Sequence, residues 1–133
     1  MHKSAIYTEE CQDHYLDDKY WNGLLKMALS RFFILRVLDA GSAHGYSIAK
    51  QISELTRDCC SPSLAAIYPV LKEFTQGGYV TFREETVSGR KRKIYSLTPK
   101  GRQAYRVAVQ AWHETTEALL QARQEEQGQD TCK

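Results

Sequence analysis

No apolar run in this chain of 133 residues approaches the ~18 residues that a membrane-spanning helix needs. The opening stretch MHKSAIYTEECQDHY lacks the apolar centre of a secretory signal. The expected compartment is therefore a reducing cytoplasm, with no membrane partner and with the four cysteines as thiols. Those cysteines form no C-x-x-C pair and no Cys/His zinc spacing, and no cofactor is implied with certainty. A glycine-rich phosphate loop is missing, as are paired carboxylates in a candidate cleft and any Ser/His/Asp or Cys/His arrangement, so an enzyme is not expected. No internal repeat, low-complexity block or flexible linker divides the chain, which is one domain's worth of material.

What remains is an ordinary globular composition, 42% apolar and 26% charged, with charge unevenly placed. The formal net charge is +2, yet residues 1–22 sum to −3 and residues 79–103 to +5. Phosphates are met by a surface and not by an average, so a local basic patch fits a nucleic-acid contact; a solvated basic loop is the plain alternative.

Periodicity gives the element order. Leu24, Leu25, Leu29, Phe32, Phe33, Leu35 and Leu38 recur at spacings of three and four, which predicts a helix with a wide buried face that Gly41 stops. A second helix is expected over 45–57, with Tyr46, Ile48, Ile52 and Leu55 on its apolar side and Lys50, Glu54 and Arg57 on the other. Ser63 is the N-cap of a third, through Leu64, Ile67, Tyr68, Leu71 and Phe74, ended by Gly77-Gly78. Pro69 lies inside this third helix, where it costs a backbone bond. YVTFREET and RKIYSLT read as a β-hairpin with VSGRK at its tip. Thr98-Pro99 starts a last helix, to about residue 126, striped with Tyr105, Ala108, Val109, Trp112, Leu119 and Leu120. The fold class is thus mainly α with a small β-hairpin, a winged helix-turn-helix plus a C-terminal dimerisation helix. The expected divisions are a helical N-terminal extension over 1–22, the winged unit over 23–98, the dimerisation helix over 99–127 and a frayed tail over 128–133.

Three stretches carry a resemblance to a known family: LSRFFILRVLDAGSAHGYSIAKQI, SLAAIYPVLKEFTQGGYV and GRKRKIYSLTPKGRQAY. With His44-Gly45-Tyr46, Tyr68-Pro69 and the Y-x-L-T-x-K-G junction at Tyr95 to Gly101 in this order, the chain resembles the PadR family of bacterial transcriptional regulators over roughly residues 24–112. The resemblance implies a recognition helix that tolerates Tyr-Pro, and a small subfamily with a single C-terminal helix. It also implies a homodimeric repressor that leaves DNA when an effector binds. Ala65 and Ala66 stand where the family usually has Gly followed by Ser or Thr, so a hydroxyl for phosphate or base is missing there.

A third helix over 63–76, about 21 Å long, fits across a major groove of double-stranded DNA. The candidate DNA residues are Ser63, Ala65, Ala66, Tyr68 and Lys72 on that helix, Tyr46 and Lys50 on the one before, and Arg90, Lys91, Arg92 and Lys93 on the hairpin. Strand alternation separates Arg90 and Arg92 from Lys91 and Lys93, and Arg90 and Lys91 are favoured for the tip. Tyr68 is either a contact or part of the core. Two such helices about 34 Å apart read a palindrome. Trp112 would bury against a second copy or cap its own core, and Tyr7, Tyr15, Leu16, Tyr20 and Trp21 are expected to join the same interface.

Two sensing routes follow. Cys59 and Cys60 precede the recognition helix, where Arg57 and the helix N-terminus are expected to lower their pKa. With Cys11 and Cys132 they are candidate thiolate ligands for a soft metal or metalloid ion, or targets of an oxidant, and His14, three residues after Cys11, is a candidate extra ligand. The plain alternative is two ordinary cysteines, one buried and one exposed. The other route is an aromatic pocket of Phe32, Phe33, Tyr105 and Trp112 for a planar small effector.

Overall fold

The computed structural model describes residues 13–131, with side chains to residue 128. A short helical turn, Asp13–Leu16, precedes α1 (Asp18–Ala40), α2 (Gly45–Leu55), α3 (Leu64–Gln76), β1 (Val80–Val87), β2 (Arg90–Leu97) and α4 (Pro99–Thr131). The expected winged helix-turn-helix order is present. Cys11 and Cys132 fall outside the described residues, as does Tyr7.

The core gathers where α1, α2 and α3 meet the root of the hairpin. Ile34, Val37 and Leu38 from α1 pack with Ile48 and Ile52 from α2, Ile67, Val70 and Leu71 from α3, and Val80 and Tyr95 from the strands. Only the second half of α1 takes part. Leu24 and Leu25, expected on its buried face, are exposed, and among the described residues only the Asp13–Leu16 turn packs on the start of the helix, against Tyr20 and Trp21. The helix also starts earlier than its apolar pattern, at Asp18, where the Asp17 carboxylate accepts from the Lys19 N–H at 2.9 Å. The expected division after residue 22 therefore falls inside α1.

Caps fix the other helices. His44 Nδ1 accepts from the Ser47 N–H at 3.3 Å, and Ser63 Oγ from the Ala66 N–H at 3.2 Å. Helix α2 stops at Leu55, short of the expected 57, since Arg57 and Asp58 take positive φ of 50° and 62°. Of its expected apolar side, Ile48 and Ile52 are buried while Tyr46 and Leu55 are exposed. At the end of α3, Gly78 is left-handed (φ 79°), the Tyr79 N–H donates to the Phe74 carbonyl at 2.9 Å and the Gly78 N–H to that of Thr75 at 3.2 Å.

The hairpin is longer than the sequence pattern suggests. Its antiparallel register pairs Val80 with Leu97 through Val87 with Arg90, so only Ser88 and Gly89 form the turn, both at positive φ. Ala43, between α1 and α2, exchanges backbone bonds with Tyr95 (3.1 and 2.8 Å) and ties the hairpin to the helices. The Y-x-L-T-x-K-G junction locks α4 in place. Thr98 Oγ1 accepts from the Gly101 N–H and donates to the Gly78 carbonyl, and Lys100 Nζ donates to the Gly77 carbonyl at 2.7 Å. Gly101 runs so close to the Tyr79 carbonyl that no Cβ fits. From there α4 extends 33 residues, past the expected end near 126, on a run of strong helix formers with Gln121 donating to Glu125.

Candidate nucleic-acid interface

Helix α3 buries Ile67, Val70 and Leu71 and leaves Ala65, Tyr68, Lys72 and Gln76 on its outer face. Tyr68 is both scaffold and surface: its ring lies over Gly45, and 47% of the residue remains exposed. Pro69 also faces outward, so the intrahelical bond it forgoes frees a carbonyl that water can reach. The Ser63 hydroxyl accepts the cap bond and keeps its proton to donate. Ala66 does not share the outer face with Tyr68; it lines a separate groove beside α1.

Tyr68 stands at the edge of a cleft of about 590 Å³. One side is the start of α2, with His44 and the exposed Tyr46, whose rings stack at 16°. The other is the hairpin, which supplies Lys91, Arg92 and Lys93. Tyr95 forms part of the wall, and burial, followed by the nearby Tyr68, pushes its phenol above the ordinary value. A second groove runs from Tyr68 past Lys72 and Gln76 to Phe82 and Lys93. Lys50 lies one turn beyond Tyr46, exposed on α2 and outside both grooves. Arg90 is exposed at the tip but does not line the cleft, so three of the four candidate hairpin cations do.

The hairpin register divides these charges. Glu84 pairs with Lys93 and Glu85 with Arg92, whereas Lys91 and Arg90 face Thr86 and Val87. Lys93 Nζ also sits 4.4 Å from the centre of the Phe82 ring. Of these four cations, the two with no carboxylate across the strand, Arg90 and Lys91, are therefore the two beside the turn.

The structure parts the two cysteines. Cys59 is exposed, and Cys60 is buried with 5% of its surface accessible. Contrary to the expected lowering, burial pushes the Cys60 thiol up, the adjacent Cys59 adds to this, and Lys26 opposes it weakly. Desolvation leads because Cys60 lies inside the core cluster. Among the described residues no three His, Cys, Asp or Glu side chains converge as a metal site would need. His14 instead packs among the rings of Tyr15 and Tyr20.

The aromatic set does come together. Phe32 of α1 meets Phe33 at 5.2 Å, Tyr105 at 5.8 Å and Trp112 at 6.0 Å between ring centres. Trp112 is partly buried by its own chain.

Residues 34–107 match the model of the transcriptional regulator PadR-like family. The chain belongs to that family. The family is one of transcriptional regulators. Among curated relatives it is similar to the negative transcriptional regulator PadR of Bacillus subtilis, 37% identical over 79 residues, covering 58% of this chain and 43% of that one. It is also similar to the transcriptional regulator YqjI of Escherichia coli, 38% identical over 73 residues, covering 55% of this chain and 34% of that one. The chain thus spans less than half the length of these relatives. Among solved structures, Bacillus subtilis PadR in complex with operator DNA is similar at TM-score 0.56 and 31% identity, covering 59% of this chain and 45% of that one. A PadR family regulator from Clostridium difficile shares the fold at TM-score 0.60 and 24% identity, over 70% of this chain and 96% of that one. In PadR-family terms, the matched span runs from the middle of α1 to the first turns of α4 and contains both clefts described above.

Proposed function

We propose that the protein is a homodimeric, sequence-specific DNA-binding repressor that an effector releases from a palindromic operator. The observation that carries the reading is the single outward surface on which Tyr68 and Lys72 of α3 adjoin Lys91 and Lys93 of the hairpin. Helix α3 enters the major groove, with Tyr68 and Lys72 at base edges and the N-terminal N–H groups on phosphate. The hairpin tip grips the neighbouring backbone and positions the protein more than it reads sequence. The Bacillus subtilis relative, whose structure holds operator DNA, supports this docking.

Two copies join through apolar surface that one chain leaves open: Leu24 and Leu25 on α1, and Val109, Leu119 and Leu120 on α4. A planar effector binds at that junction, beside the open side of Trp112; the raised Cys60 thiol makes the thiolate route the weaker one.

Fluorescence anisotropy with a labelled duplex tests the reading. Affinity should fall linearly with salt on a log–log plot, with a slope of about −0.9 for each phosphate neutralised. Absence of binding at low salt would favour a protein-binding adaptor built on the same fold.

A further inference from the structure

A groove of about 430 Å³ lies on the other side of α3 from the hairpin, between α1 and the turn that leads into α3. Its apolar wall comes from Met27, Phe33, Ile52, Pro62 and Val70, with the buried Cys60 beside them. Its charged groups are Lys26 and Arg31, five positions apart on α1, and among the described residues no carboxylate lines it. Arg31 is held by Glu73 at 2.8 Å, while Lys26 has no ion pair among the described residues. Ser30, Ser61 and Ser63 add hydroxyl groups along the groove. The size is that of a small-molecule site, mostly apolar with few convergent polar groups. Its lining is largely aliphatic and thioether, a surface that suits a flexible chain better than a flat ring.

We propose that this groove binds a small aliphatic carboxylate, its chain against Met27, Ile52 and Val70 and its carboxylate on the Lys26 ammonium. A carboxylate there gains a charge-assisted hydrogen bond from a cation that has no ion pair among the described residues, and an amine of the same length meets repulsion. Phe33 borders both this groove and the aromatic cluster, but Phe32, Tyr105 and Trp112 do not line the groove.

The chain contains two methionines, Met1 and Met27, so methyl-labelled methionine gives a nearly private NMR signal for the groove. The full chain is titrated with octanoate, octylamine and octanol, and the Met27 line is assigned with Met27→Leu. Octanoate should shift it saturably with a half-point near or below about 1 mM. Lys26→Gln should raise that half-point about tenfold, Ser30→Phe should abolish the shift by filling the groove, and Arg106→Gln on α4 should leave it unchanged. Where Ser30→Phe does not fold, Lys26→Gln decides. A linear, unsaturated response to 10-fold above that concentration (about 10 mM), equal binding of octylamine, or an unaltered half-point in Lys26→Gln overturns the proposal. No DNA is present in these titrations, so their failure and that of the DNA-binding reading are distinguishable.

Discussion

The ring of Tyr68 lies over Gly45 so closely that a Cβ on residue 45 would stand 2.7 Å from the Tyr68 hydroxyl oxygen. The pair links the first residue of α2 to the outer face of α3, and Gly45 is itself buried. The His-Gly-Tyr and Tyr-Pro motifs, more than twenty positions apart, are therefore two halves of one contact. A missing side chain at residue 45 sets where the Tyr68 ring rests.

Gly45→Ala should uncouple stability from binding. The new methyl meets the far end of a half-exposed side chain, which can swing away, so the melting temperature should move by no more than about 3 °C. The displaced Tyr68 should cost duplex affinity about tenfold, the range of a single base contact. Thermal melts and anisotropy on the same sample check both halves.

Gly101→Ala should behave oppositely. Its Cβ would meet the Tyr79 carbonyl and the Leu97 side chain, and a backbone carbonyl cannot swing aside. Overpacking at the junction should cost about 1–3 kcal/mol, read as a lowered urea midpoint.

Hairpin charges should appear in the salt dependence. Lys91, opposite Thr86 at the tip, has no cross-strand carboxylate, whereas Lys93 faces Glu84. Lys91→Gln should reduce the salt slope by about 1 and weaken all duplexes alike. Lys93→Gln should reduce it less. Slopes from anisotropy at four or five salt concentrations separate the two.

The Cys60 thiol gives a pH signature. Its folded pKa is raised, so its contribution to stability is fully present below the unfolded thiol value of about 8.5 and is lost as pH rises from there toward the folded value. Urea midpoints should decline across that alkaline window, and Cys60→Ala should flatten this part of the decline. At neutral pH an alkylating reagent should modify the exposed Cys59 well before Cys60, followed by peptide mass spectrometry.

Much of the architecture was legible because local chemistry and tertiary role agree. Ser63 and Thr98 cap the helices their sequence context marks, Gly77-Gly78 ends α3, and Gly89 sits in the hairpin turn. The start of α1 was obscured because a half-exposed helix need not show a buried stripe: Leu24 and Leu25 suggested burial where the described residues leave them exposed. The Ala43–Tyr95 bridge is one residue long and leaves no periodic trace. Which way the Cys60 pKa moves depends on the distant side chains that bury it, and adjacency to Arg57 pointed the wrong way. For the candidate interface, residue types marked the basic hairpin and Tyr68, but not the contribution of His44 to the cleft or the turning of Ala66 away from it.

The most direct test maps the duplex onto the chain itself. Backbone amide shifts are recorded for the full protein during titration with a duplex enriched by the protein from a random library. The largest changes should fall at residues 44–46, on the outer face of α3 from Ser63 to Gln76, and at residues 90–93. Changes confined to α4, or none with any duplex at low salt, would contradict the account.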